Sequence, residues 1–184
     1  MFALVVDDDI SLRLSEERDA EALFALVDSN RARLREWMPW LDGTQSPDDT
    51  RAFIRGTRTQ FAEGRAYEVA IRYRGQLAGR IGLRVTSTDN RVAELGYWVA
   101  AEYEGRGIIT RSARALTTAA FAELALHRVQ IQCATGNLLS RAVPERLGFS
   151  LEGVHREAEW LYDHFVDHAV YAILEQDWAP DTPN

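Results

Sequence analysis

The chain has 184 residues, 46% of them hydrophobic and 27% charged, with a formal net charge of −7 at pH 7. That length supports one sizeable core and not two comfortable domains, so a single domain is expected over 1–184, with its core at about 10–178. The acidic balance argues against nonspecific nucleic-acid binding, which rests on neutralising phosphates, and favours a cationic partner such as an amine.

Read in chain order, Ile10 to Leu14 alternates apolar and polar as a strand does, and Ala20, Leu23, Phe24 and Val27 recur at the spacing of an amphipathic helix. The tryptophan-rich stretch Leu34 to Leu41 follows, closed by Asp42-Gly43. Ser46-Pro47-Asp48-Asp49 is a helix start, with a capping serine, proline at the first position and acids in the first turn; Gly64 ends that helix. Tyr67 to Tyr73, Gln76 to Val85 and Arg91 to Val99 read as antiparallel strands joined by tight turns. A helix opens at about Ile109, with Ala113, Leu116, Ala120 and Leu124 on its inner stripe. Arg128 to Cys133 is a strand, Leu138 to Leu147 a helix stopped by Gly148, and Ser150 to Ala158 with Phe165 to Leu174 a last strand pair. Pro180 to Asn184 reads as a frayed tail. The order predicts an α/β fold with a mixed sheet of about seven strands and helices on both faces.

No apolar run approaches the roughly 18 residues of a membrane span, and Met1 to Asp9 is acidic where a signal peptide is basic. A cytoplasmic protein with no membrane partner is expected. Cys133 is the sole cysteine, which rules out an intrachain disulfide and reads as a strand thiol. The four histidines lack metal-ligand spacing, so no metal is expected.

The most informative stretch is Glu104-Gly105-Arg106-Gly107-Ile108-Ile109-Thr110, between a strand and a helix. Gly105 and Gly107 can take backbone angles that turn consecutive N–H groups toward one point. The free N–H groups of the first turn, at Ile108, Ile109 and Thr110, add a positive dipole end that suits a pyrophosphate. No P-loop motif is present. The G-x-G-x-x-T pattern is not a dinucleotide fingerprint either, because it follows tightly connected strands and finds no acid at a strand end about 20 positions on. Arg106, Arg111, Arg114, Arg141 and Arg146 supply basic charge in the surrounding segments.

The blocks Ala93 to Val99, Tyr103 to Thr110, Asn137-x-x-Ser140, Leu147 to Gly153 and Glu157-Ala158-Glu159 together resemble the GCN5-related N-acetyltransferases (GNAT), in particular the RimJ/RimL branch, over about Ile10 to Trp178. That branch acetylates the N-termini of ribosomal proteins. The resemblance implies a splay between the fourth and fifth strands of the family's sheet, with acetyl-CoA as cosubstrate lying against Trp98 and Val99. The pantetheine arm would pair with the strand edge that the splay leaves open, and Asn137 would bond its amides. Arg106 would screen the pyrophosphate, and Arg141 and Arg146 would reach toward the 3′-phosphate. By family position Glu159 is the candidate general base and Ser140 the candidate acid for the leaving thiolate. Glu94 is the rival base, because on an alternating strand it shares a face with Gly96 and Trp98. Ser140 could instead complete a capping box with Asn137. Three residues depart from the family pattern: Glu104, a carboxylate beside the expected pyrophosphate; Ile109, where the family has Gly or Ala; and Pro144, which removes the helical bond to the Ser140 carbonyl at up to about 3 kcal/mol.

A direct attack in a ternary complex needs no covalent enzyme intermediate. An N-terminal amine, with a reference pKa of about 7.7 to 8.0, is roughly a tenth neutral at pH 7, against under a thousandth for lysine at about 10.4. A protein N-terminus is therefore the first acceptor, a ribosomal one by the family resemblance, with polyamines or antibiotics as the alternative within the class. Trp37, Met38, Trp40 and Trp160 are candidates for the acceptor slot, or equally for a core or dimer contact. A noncatalytic acyl-CoA-binding module is the other reading, and a homodimer is the family's frequent state.

Overall fold

The computed structural model describes residues 3–179. Eight strands lie in one sheet among the described residues: β1 (Ala3–Val5), β2 (Ile10–Leu14), β3 (Ala66–Tyr73), β4 (Gln76–Ser87), β5 (Val92–Val99), β6 (Arg128–Ala134), β7 (Ser150–Leu161) and β8 (His164–Leu174). Their order is β1-β2-β3-β4-β5-β6-β8-β7. Five helices accompany them: α1 (Ala20–Ser29), α2 (Arg31–Arg35), α3 (Pro47–Ala62), α4 (Ile108–Ala122) and α5 (Leu138–Arg146). The expected frayed tail at 180–184 lies outside the described residues.

The sheet has one more strand than the seven expected. Three residues, Ala3–Val5, are too few to carry a period, and the acids after them looked only like a charged terminus. Asp7 instead shapes the turn between β1 and β2, its Oδ1 accepting from the Asp9 and Ile10 N–H groups at 2.9 Å each. The tryptophan-rich stretch also gains structure: α2 runs into its first two residues, and a 3-10 turn spans Pro39–Gly43. The Ser46 cap forms as its sequence predicts, accepting from the Asp49 N–H.

Side-chain alternation splits the core in two. Ala93 and Leu95 of β5 face α4 and α5, packing with Ala113, Leu116, Ala120, Val143 and Leu147. Trp98 faces α1 and α3 instead, packing with Leu23, Val27, Leu34, Leu41 and Ile54. Every neighbouring strand pair is antiparallel except β5 and β6, whose parallel pairing covers only Val92↔Arg128, Ala93↔Val129 and Glu94↔Gln130. Beyond those pairs, Leu95–Val99 and Ile131–Ala134 have no partner in each other. The expected splay is present, and it opens the sheet next to the glycine turn.

Candidate active site

Two cavities meet where β5 and β6 part. One, about 500 Å³, lies on the α1 and α3 side; the other, about 970 Å³, runs along the end of β5 to the start of α4. Both volumes are in the range of small-molecule clefts. Trp37, Met38, Tyr97, Trp98, Asn137 and Ser140 line both, so these residues mark the passage between them.

The larger cavity contains the glycine turn. Gly105 and Gly107 sit at φ 70° and 68°, in the left-handed region that a side chain resists, and Gly107 caps α4. Trp98, Val99, Gly105, Gly107, Ile108, Ile109, Thr110 and Asn137 all line this cavity, as do Arg111 and Arg146. Ile109, larger than the family residue, packs part of its bulk against the main core. Two predicted arginines are placed elsewhere. Arg106 donates to the Glu102 carbonyl at 3.1 Å and lies over the Tyr73 ring. Arg141 donates to Tyr171 Oη and to the Thr135 carbonyl, both at 3.0 Å. Local bonding therefore turns both side chains from the cavity wall. Glu104 stays at that wall, ion-paired to Arg33 of α2.

Ser140 sits in the first turn of α5. Its N–H donates to Asn137 Oδ1 at 3.1 Å, so Asn137 is the cap. The Asn137 N–H goes to the Ala134 carbonyl at 2.9 Å and not back to Ser140, so the reciprocal bond of a capping box is absent. Pro144 leaves the Ser140 carbonyl without its helical donor, and Tyr97 Oη donates to that carbonyl at 2.8 Å instead. The helix runs through the proline because a neighbouring strand supplies the missing hydrogen. Burial, aided by Cys133 and Tyr171, pushes the Tyr97 hydroxyl well above the ordinary tyrosine range, so it keeps its proton.

The smaller cavity holds the acids. Glu159 lines it, with Oε2 3.3 Å from His168 Nε2. A bulge places Glu159 there: β7 pairs with β8 at His155↔His168 and again at Glu159↔Val166, with Glu157 at φ 49° between them and its N–H on Asp167 Oδ1 at 2.7 Å. Glu94 lines the closed end, 3.2 Å from the exposed Arg84. Across the floor, Gly82 and Gly96 are register partners that leave backbone where side chains would stand. A Cβ on Gly96 would meet nothing within 4 Å, whereas one on Gly82 would strike the Glu68 carboxylate. Glu68 accepts from Arg80 at 2.7 Å, and the guanidinium stacks 4.0 Å above the Phe53 ring. Burial lowers the Arg80 pKa, and Glu68 opposes that shift. The Thr50 hydroxyl, buried in the same wall, has no hydrogen-bond partner among the described residues.

Trp37, Met38 and Trp40 line this cavity, as their sequence clustering suggests. Trp160 does not line either cavity. It lies on the exposed edge strand β7, 53% exposed and stacked edge-on against Phe165 at 4.8 Å. Cys133 lines the wall, but burial, the largest influence, raises its thiol to about 11, so it is no thiolate at neutral pH. No metal-binding group of His, Cys, Asp or Glu occurs among the described residues, and none of their helices is long and apolar enough to cross a membrane.

A family model described as an acetyltransferase (GNAT) domain matches residues 9–150. The chain belongs to the GNAT acetyltransferases. A relative from Bacillus subtilis (strain 168), named "Putative ribosomal N-acetyltransferase YdaF", is 42% identical over 97% of this chain and 98% of its own. The ribosomal-protein-serine acetyltransferase of Escherichia coli (strain K12) is 31% identical over 92% and 94%. Among solved structures, RimL, the ribosomal L7/L12 alpha-N-protein acetyltransferase in complex with coenzyme A, superposes with a TM-score of 0.91 at 29% identity, covering 94% of this chain and 98% of that one. The microcin C7 self-immunity acetyltransferase MccE, in complex with acetyl-CoA and AMP, gives 0.89 at 28% identity over 92% and 94%. As a GNAT enzyme, this chain uses acetyl-CoA as its acyl donor. The cradle at Gly105 and Gly107, the long cavity and the open edge of β5 fit such a molecule.

Several residues of this GNAT site escaped the sequence. His168 is one of the four histidines that lack metal-ligand spacing, and a bulge that the sequence does not show brings it to Glu159. Tyr97 and Arg33 act across 43 and 66 or more positions. Glu68 and Arg80 were within reach: given the β3-β4-β5 register, they fall on the same face as Gly82, Gly96 and Trp98.

Proposed function

We propose that this enzyme acetylates the α-amine of a protein N-terminus, a ribosomal protein being the first candidate, by direct attack within one ternary complex. The observation that carries this reading is the meeting of the two cavities at Tyr97, Asn137 and Ser140, with Glu159 in the smaller one. The names of the two curated relatives support the acceptor class.

In this reading the larger cavity receives acetyl-CoA and the smaller one the amine. Glu159 takes a proton from the attacking amine, directly or through a water, and His168 holds its carboxylate in place. The amine nitrogen bonds the thioester carbon, and the carbon–sulfur bond breaks. The Ser140 hydroxyl delivers a proton to the departing thiolate and regains one from solvent. Asn137 serves by fixing the turn that carries Ser140. The carboxylates Glu68, Glu94 and Glu159 outnumber the buried Arg80, which favours a cationic acceptor. A neutral fraction of that acceptor is available near pH 7 only when its pKa is low.

Thiol release is the test, with acetyl-CoA and a panel of peptides bearing free or blocked N-termini, alongside polyamines. Turnover of free N-termini, with the acetyl group mapped to the α-nitrogen, is expected. Turnover confined to polyamines or to lysine side chains would overturn the acceptor assignment.

A further inference from the structure

The Arg33–Glu104 pair bears on how this chain tolerates a carboxylate at its diphosphate cradle. Glu104 opens the glycine turn and lines the larger cavity with Arg33. An anionic ligand held at Gly105 and Gly107 would meet the Glu104 charge at close range, and like charges brought together in a cleft cost affinity. Arg33 Nη1 bonds the Glu104 carboxylate. Its other terminal nitrogen bonds the Val99 carbonyl. Arg33 Nε is enclosed without a hydrogen-bond partner among the described residues.

The Val99 carbonyl faces the splay. The Ala100 N–H donates toward β4, to the Ala78 carbonyl at 2.8 Å, and a trans peptide directs its C=O to the opposite side. On that side β6 no longer pairs with β5. Arg33 therefore holds the strand-edge acceptor that would meet a pantetheine amide if acetyl-CoA occupies the larger cavity, as the function proposed above has it. The same segment is anchored at both ends: Asn30 Oδ1 accepts from the Ala101 N–H at 2.8 Å, and Tyr162 Oη donates to the Met38 carbonyl at 2.5 Å.

We infer that Arg33 is a positioning residue for the acyl donor, with two separable effects. It cancels the Glu104 charge, which permits diphosphate binding at the glycine turn. It also occupies the Val99 carbonyl and yields it to the donor's amide, staying on Glu104. The first effect acts only on a ligand that carries the diphosphate, and the second on any ligand that carries the amide.

The two effects are separated by titrating acetyl-CoA and S-acetylpantetheine, which lacks the diphosphate, against the unaltered chain, Arg33→Ala, Arg33→Gln, Glu104→Gln and the double variant. Thermal melting of each checks its fold. Both Arg33 variants should bind acetyl-CoA about tenfold more weakly, yet bind acetylpantetheine at least as tightly as the unaltered chain. Adding Glu104→Gln to Arg33→Ala should bring acetyl-CoA affinity back to within about threefold. Equal loss of both ligands, no loss of acetyl-CoA, or no recovery in the folded double variant would overturn the inference. The proposed function fails by a different result: an unaltered chain that binds acetyl-CoA but acetylates no N-terminus, with the Arg33 effects intact.

Discussion

At the scale of single residues, the two candidate bases differ in what surrounds them. Glu159 sits beside His168 at the cavity that borders Ser140, whereas Glu94 sits where β5 and β6 are still paired and leans on Arg84. A base must reach the amine, and Glu159 stands beside His168, which pairs with Ala134 at the end of β6 that has left β5, whereas Glu94 pairs with Gln130. Glu159→Gln is therefore expected to lower kcat by about 10²- to 10⁴-fold, the usual weight of general acid–base catalysis, with little change in acetyl-CoA affinity. Glu94→Gln should cost far less, and steady-state kinetics in which the order is reversed would move the assignment to Glu94. Tyr97 makes a second, purely structural test. Its hydroxyl stands in for the donor that Pro144 lacks, so Tyr97→Phe leaves the Ser140 carbonyl short of a hydrogen bond and should cost about 1 to 3 kcal/mol in denaturant unfolding. Combining Tyr97→Phe with Pro144→Ala should recover much of that loss, because alanine restores the helical N–H.

At the scale of elements, the glycine turn and α4 form the part that local sequence dictates most completely. Gly107 at φ 68° caps the helix, and a side chain there costs about 1 to 2 kcal/mol in the left-handed region. Gly107→Val should accordingly weaken acetyl-CoA binding by about five- to thirtyfold, or distort the turn enough to abolish it; calorimetry that finds unchanged affinity would show that the turn does not hold the donor. The turn was legible because its requirement is local: two glycines, a strand before and an apolar stripe after. The Ser46 cap and the strand alternation of Glu94, Gly96 and Trp98 were legible for the same reason. Elements fixed by distant partners were not. Ala3–Val5 becomes a strand because β2 lies beside it, and residues 156–158 bulge because β8 runs opposite with fewer residues. The arginines divide in the same way. Sequence places Arg106 and Arg141 in the right segments, but bonds to the Glu102 and Thr135 carbonyls decide where their side chains go.

At the scale of the whole molecule, the excess of acid over base meets, in the function proposed above, two ligands of opposite sign. The formal charge of −7 attracts a cationic acceptor and repels an anionic donor from a distance. Local structure answers the second problem with backbone N–H groups at the cradle, with Arg33 and Arg111 offsetting the carboxylates of Glu104 and Asp7, and with Arg146 at the cavity wall. It reinforces the first with Glu68, Glu94 and Glu159 around the smaller cavity. Long-range attraction is screened as the Debye length shrinks, to about 10 Å at 0.1 M salt, while contacts inside a cleft are screened much less. Raising salt from about 0.02 M to 0.2 M should therefore lower kcat/KM for a lysine-rich N-terminal peptide several-fold, and affect a peptide of matched length but no net charge much less. Because kcat reports the bound complex, it should hold nearly constant for both peptides. Stopped assays of thiol release with saturating acetyl-CoA would check this, and an equal response from the two peptides would mean that the acidic surface plays no part in gathering the acceptor.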